Sequence, residues 1–288
     1  MINHPPQRKA WPMARWRSWV QAGFLLAWLD PLLLRMHGVC SPVFHCYSCP
    51  LATFACPIGI LAQYSALHVV PFLALGTLLV VGALSGSLVC GWVCPFGFLQ
   101  DLAAQIPTPK LRLPGYFGLT RYAVLAGLVF LVPYYYGEGS PWFVCRVCPA
   151  GALEAAVPYS VQQSIAHHAI LWPSMNKSVV LAAFLLSMLF LRRPWCTLFC
   201  PLGAIFSLCN YVSVVFLRFQ PDRCNDCDLC RDLCKYRGPS QRRGGDLRCI
   251  RCFECVRCRA LSIGTVFQRE KAGPERAPEE GGLPIIEP

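Results

Sequence analysis

Four times along the chain a cysteine is followed by proline, one variable residue and glycine: "CPIG" from Cys56, "CPFG" from Cys94, "CPAG" from Cys148 and "CPLG" from Cys200. Each has cysteine partners upstream. Cys90 and Cys196 stand four positions before their prolyl cysteines, Cys145 stands three before, and Cys46 and Cys49 precede Cys56 at longer range. Proline is favoured at the first position of a helix, so each prolyl cysteine is expected to cap one. A thiolate there is stabilised by the positive end of the helix, which lowers its pKa and favours metal ligation or redox exchange. Cys90, Cys94, Cys196 and Cys200 are therefore candidate metal ligands. Cys46, Cys49, Cys56, Cys145 and Cys148 are candidate redox or disulfide residues, because an oxidising compartment on their side would favour disulfides. A cysteine met singly is commonly a small buried hydrophobe, and Cys40 and Cys209 are read that way.

After Phe219 the composition turns polar, and eight cysteines follow in two runs: Cys224, Cys227, Cys230 and Cys234, then Cys249, Cys252, Cys255 and Cys258. "CNDCDLCRDLC" has the C-x2-C-x2-C-x3-C spacing with which three thiolates of one turn hold a 4Fe-4S cubane and the fourth reaches a second. One cluster would then take Cys224, Cys227, Cys230 and Cys258, and the other Cys249, Cys252, Cys255 and Cys234. The second run departs from the pattern, closing with two intervening residues instead of three, and Lys235 and Arg259 stand where the pattern has proline. Two C-x2-C pairs could instead make a structural zinc site, but two triple-spaced runs suit cubanes better.

These cysteines need elements to position them, and the composition says in what medium. Of 288 residues 55% are hydrophobic and 14% charged, with a mean hydropathy of +0.43, against roughly a quarter charged in a soluble domain. Four apolar runs are candidate membrane spans: Trp19 to Leu34, Val69 to Val89, Leu119 to Tyr136 and Ser178 to Leu191. The first holds Asp30, a weak candidate for a quinone site, and the third opens on Arg121, expected to snorkel, and closes on a tyrosine triplet suited to an interface. Lys and Arg gather in the N-terminal arm, at 110–121 and after 191, so both termini are expected in the cytoplasm. A fifth run, Leu202 to Leu217, is set aside because "CGWVCPFGFLQDL" and "CTLFCPLGAIFSL" align at a constant offset of 106 residues, which equates it with an amphipathic segment. The expected architecture is mainly α-helical and integral to the membrane, with about four transmembrane helices and a small two-cluster ferredoxin-like domain. Its parts are a basic arm at 1–18, a duplicated membrane domain at 19–219, the ferredoxin-like domain at 220–267 and a disordered tail at 268–288.

The net charge of +11 has this topological explanation, so nucleic acid is not expected as a partner. No C-x-x-C-H haem motif and no Walker or Gly-rich dinucleotide motif occurs. The paired C-x3-C-P motifs followed by the ferredoxin-like tail resemble the NapH-like family of polytopic membrane ferredoxins, related to the membrane parts of NosR and CcoG. The resemblance covers roughly residues 69 to 263. It implies a multi-pass protein of the bacterial inner membrane that carries electrons, often from quinol, to a periplasmic redox partner, with Cys90, Cys94, Cys196 and Cys200 as the membrane motif and the tail cysteines as ligands of two 4Fe-4S clusters. An electron carrier is the expected function, ahead of a stand-alone enzyme, which would be a quinol dehydrogenase-type subunit. A transmembrane thiol-disulfide relay, or a copper-handling or redox-enzyme assembly factor, would also use cysteines on both faces.

Overall fold

The computed structural model describes residues 16–26, 56–111, 115–153, 164, 175–224, 230, 234, 247, 249–258 and 260–266. The Cys-Pro pairs act as helix starts throughout. Cys56, Cys94, Cys148 and Cys200 cap Pro57–Ala66, Pro95–Ala103, Pro149–Gly151 and Pro201–Leu208, each with proline in the first turn. Proline loses nothing there, since the first N–H groups of a helix have no partner within it. Three caps share nearly one conformation, φ/ψ of −65/112 at Cys94, −74/116 at Cys148 and −71/111 at Cys200. At Cys94 and Cys200 the sulfur accepts the backbone N–H of Gly97 and of Gly203, both at 3.4 Å. The sequence repeat is thus a repeat of local structure.

The Val69 to Val89 run forms a helix shorter than expected, whereas the Leu119 to Tyr136 and Ser178 to Leu191 runs correspond to helices slightly longer than the runs themselves. Phe117–Tyr136, 20 residues, is the one helix among the described residues long and apolar enough to cross a membrane; Phe72–Ser85 and Met175–Phe190 are apolar and shorter. Residues 16–26 are helical, and Asp30 lies outside the described residues. The Val69 to Val89 run is broken by Gly86, whose φ of +56 is open to glycine and strained for other residues. A side chain there would also meet Asn210 Oδ1 at 2.7 Å and Arg251 Nη1 at 2.8 Å. The chain turns and restarts as the short helix Leu88–Trp92, which carries Cys90. In the long helix the segment Leu125–Leu131 widens to π geometry just before Pro133, which relieves the clash that proline makes with the preceding turn. Only Ala74, Leu78 and Gly82 of Phe72–Ser85 are buried, one narrow stripe at a spacing of four. The close approach at Gly82 has a definite cause, because a Cβ there would lie 2.5 Å from Cys209 Sγ. Cys209 is a packing residue.

The Leu202 to Leu217 run is divided as well. Its helix ends at Leu208, and after a 3-10 turn the chain forms strand β1, Val215–Phe219, antiparallel to β2, Leu261–Thr265, with Leu217 opposite Ile263. Composition gave no sign of this strand. It ties the cysteine-rich tail to the segment that carries the repeats through a core of Leu217, Phe253, Val256 and Leu261, against which Leu88 and Trp92 pack. Contact with the Cys90 helix is close: a Cβ on Gly91 would stand 2.5 Å from the carbonyl oxygen of Ile250. The Gly91 carbonyl in turn accepts from Arg17 Nε and Gln21 Nε2, each at 2.9 Å.

One carboxylate joins the two repeats and the N-terminal helix. Asp101 accepts from Arg193 Nε at 2.8 Å and pairs with the Nη2 atoms of both Arg193 and Arg17. Arg17 also reaches Glu254 in the tail at 2.8 Å. Both guanidinium groups are buried, so neither could be left unpaired without a penalty of several kcal/mol. Asp101→Asn is expected to destabilise the purified protein by about 3–5 kcal/mol, read as a lowered thermal midpoint. A midpoint within a degree of the parent would refute the role given to this carboxylate. Gly91→Ala must move backbone against backbone, at about 1–3 kcal/mol. Its expected signature is faster proteolytic release of the tail at unchanged helical content, and equal protection would contradict the close approach.

Candidate functional site

Cys90, Cys94, Cys196 and Cys200 line one cavity, of about 460 Å³ counting space open to solvent, with Arg121 and Cys249 also in its wall. The repeats deliver the cysteines in pairs. Cys90 comes from Leu88–Trp92, Cys196 from the π-helical turn Trp195–Phe199, and Cys94 and Cys200 from the two caps. Each repeat also holds its counterpart. Gln100 of the first donates to Cys196 Sγ at 3.2 Å while its carbonyl accepts from the Trp195 N–H at 3.2 Å, and Arg193 of the second donates to the Cys90 carbonyl at 3.0 Å.

Burial dominates the acid-base character of these thiols. It pushes Cys90 up to about 12 and raises Cys196, with Arg193 and Arg121 pulling both back, and it places Cys200 well above the ordinary value. The lowered pKa expected at a helix cap is therefore overturned at Cys200, where loss of solvent outweighs the helix N-terminus. Such thiols deprotonate when a positively charged centre replaces the lost water. Among the described residues no three His, Cys, Asp or Glu side chains close on the position of a single ion. Four cysteines of the two repeats in one wall are a donor set that fits an iron-sulfur cluster, which is held by four thiolates.

In the tail, burial raises Cys255 first, followed by its neighbours Cys252, Cys249 and Cys234. Burial also pushes Cys252 up to about 12. Arg251 and Phe253 turn the loop with left-handed φ of 51 and 58, and the Arg251 N–H donates to Cys249 Sγ at 3.4 Å. Cys230 and Cys258 pack against the core beneath the sheet. Cys224 follows the turn Pro221–Arg223, and Cys227 lies outside the described residues.

Of the remaining cysteines, Cys56 and Cys145 meet at Gly59, where a Cβ would be 3.7 and 3.4 Å from their sulfurs. Cys148 caps the following turn; Cys46 and Cys49 lie outside the described residues. Four polar residues around the cavity escaped sequence reasoning. Gln100 and Asp101 were part of an amphipathic pattern, and Arg193 was counted as a loop charge. Arg121 does not snorkel: it is 3% exposed and donates to the Leu247 carbonyl. The available signal was position, since Gln100 and Asp101 end one Cys-Pro motif and Arg193 opens the other.

A sequence family described as 4Fe-4S binding domain matches the chain twice, at residues 67–114 and 178–220. Each match contains one C-x3-C-P motif, so the description falls on the cavity cysteines. An uncharacterized protein of Methanocaldococcus jannaschii is 28% identical over 67% of this chain and 78% of its own length. YccM of Escherichia coli, named for electron transport, is 23% identical over 73% of this chain and 58% of its own. The methylamine utilization ferredoxin-type protein MauN of Methylorubrum extorquens is 29% identical over 64% of this chain and 56% of its own. The chain thus spans little more than half the length of the latter two. No solved structure matches. Helical folding around grouped cysteines, a doubled 4Fe-4S match and relatives of this kind together support an iron-sulfur, ferredoxin-type electron-transport family for the chain.

Proposed function

We propose that the chain is a membrane-bound iron-sulfur electron carrier that connects cytoplasmic clusters in its tail, and the quinol pool, to a redox partner on the periplasmic side. The observation that carries this reading is that Cys249, a member of the second tail set, also lines the cavity of the four repeat cysteines. Cluster-bearing thiols of the tail and of the membrane segment therefore share a wall. Cys224, Cys227, Cys230 and Cys258 would hold one 4Fe-4S cluster, Cys249, Cys252, Cys255 and Cys234 a second, and Cys90, Cys94, Cys196 and Cys200 a third. Such clusters supply one-electron transfer without making or breaking substrate bonds.

The chain's own contribution is placement and exclusion of water. Ser87 Oγ and Asn210 Nδ2 donate to the Cys249 carbonyl at 2.6 and 3.0 Å, and the Ser87 N–H donates to Asn210 Oδ1 at 3.0 Å. These bonds fix the tail loop against the start of the Cys90 helix. A membrane setting is supported by the outward faces of the apolar helices. On Phe72–Ser85 the exposed side chains include Phe72 at 81%, Leu79 and Leu84, a surface that water would disfavour. The tyrosines at the end of the long helix are also exposed, as an interfacial belt would have them. In this reading the protein is multi-pass in the inner membrane, with both termini cytoplasmic.

Anaerobically purified protein is expected to carry about twelve irons and matching acid-labile sulfide, four per cubane. Cys94→Ser with Cys200→Ser should remove about four irons while leaving tail signals in the EPR spectrum. Zinc without labile sulfide would overturn the assignment. The meeting of Cys56 and Cys145 at Gly59 favours a second reading, a relay that passes reducing equivalents by thiol exchange on the outer side. Replacing both by serine should stop electron delivery to an outer acceptor if the relay operates, whereas undiminished delivery with intact clusters rules it out.

A further inference from the structure

Among the described residues Arg121 differs from Arg17 and Arg193 in lacking a carboxylate, and from Arg251, which shares a buried Nε without a partner, in lining the four-cysteine cavity. Arg17 and Arg193 are neutralised by Asp101, and Arg17 also by Glu254. Among the described residues no carboxylate pairs with Arg121. Its Nη2 donates to the Leu247 carbonyl and its guanidinium lies 5.3 Å from the ring of Tyr122, but its Nε is buried with no hydrogen-bond partner. A buried N–H left unmade costs about 1–3 kcal/mol, more on a charged group. This one belongs to a side chain that is 97% buried by its 3% exposure and lines the four-cysteine cavity. Arg121 shares that cavity with cysteines of both repeats, Cys90 and Cys94 of the first and Cys196 and Cys200 of the second.

Resting on the reading that this cavity holds an iron-sulfur cluster, we propose that Arg121 is the counter-charge and hydrogen-bond donor for that cluster, with Nε–H kept for one of its sulfurs. Four thiolates give a cubane a net negative charge that grows on reduction, so an adjacent cation and an N–H donor favour the reduced form. Arg121 then sets the potential of the cavity centre independently of the tail clusters. It also explains why a cation stands at the start of the longest apolar helix without reaching for water.

The test is an EPR-monitored redox titration of the full chain in detergent, with iron and sulfide measured on each sample. Cys94→Ser first identifies the cavity signal by its loss; if every signal and all iron survive, the cavity reading itself fails. Arg121→Gln should keep its iron and lower the midpoint of that one signal by at least tenfold in the reduction equilibrium, about 59 mV for one electron, leaving the tail midpoints in place. Arg121→Lys, which retains charge but lacks Nε, should move it the same way by less, and it decides the matter if the glutamine variant does not accumulate. A cavity signal present at full iron with an unmoved midpoint overturns the role of Arg121.

Discussion

A single shared carboxylate, Asp101, holds the architecture together. It receives Arg193 from the second repeat and Arg17 from the N-terminal helix, and Arg17 goes on to the tail through Glu254. Three segments far apart in sequence are thereby fixed relative to one carboxyl group at the end of the first Cys-Pro helix. Ion pairs of this kind are poor sources of net stability, because desolvating the charges offsets most of their attraction. Their value is in register: pairing both buried guanidinium groups with one carboxylate holds the two C-x3-C-P motifs on a common cavity.

Around that hub the motifs are built to different local rules and yet present equivalent sulfurs. The caps Cys94 and Cys200 share dihedral angles and a sulfur contact to the third residue on. The upstream cysteines ride on an α-helical turn in one repeat and a π-helical turn in the other. The inequality reflects their partners. Cys196 is met by a glutamine amide, whereas the peptide carbonyl of Cys90 is met by a guanidinium.

Much of this was legible in the sequence where the cause is local. Proline after cysteine marks a helix start, and the 106-residue offset pairs the motifs, because both depend on a few neighbouring residues. The eight tail cysteines are grouped by their spacing alone, which needs no knowledge of the fold. What escaped was set by partners distant in the chain. The apolar run from Val69 is cut at Gly86 because Asn210 and Arg251 occupy the space a side chain would need. Val215–Phe219 reads as apolar and becomes a strand only because Leu261–Thr265 is available to pair with it. Arg121 looks like an interfacial cation until Leu247 and the cavity are brought to it.

The tail docks onto the segment that carries the repeats through side chains and main chain together: Arg251 bonds to the carbonyls of Ser85, Val215 and Asn210, Glu254 pairs with Arg17, and Phe253 packs by Leu88 and Trp92. The carbonyls of Cys249, Ile250 and Arg251 meet Ser87, Asn210, the bare backbone of Gly91 and the indole N–H of Trp92. Main-chain groups are the same whatever the residue, so the bonds made through these carbonyls would survive a change of side chain. Arg251, Phe253 and Glu254 are different, because each is held by what its own side chain meets. The junction therefore constrains the tail at alternate points, and drift in sequence is open only where the carbonyl alone makes the contact.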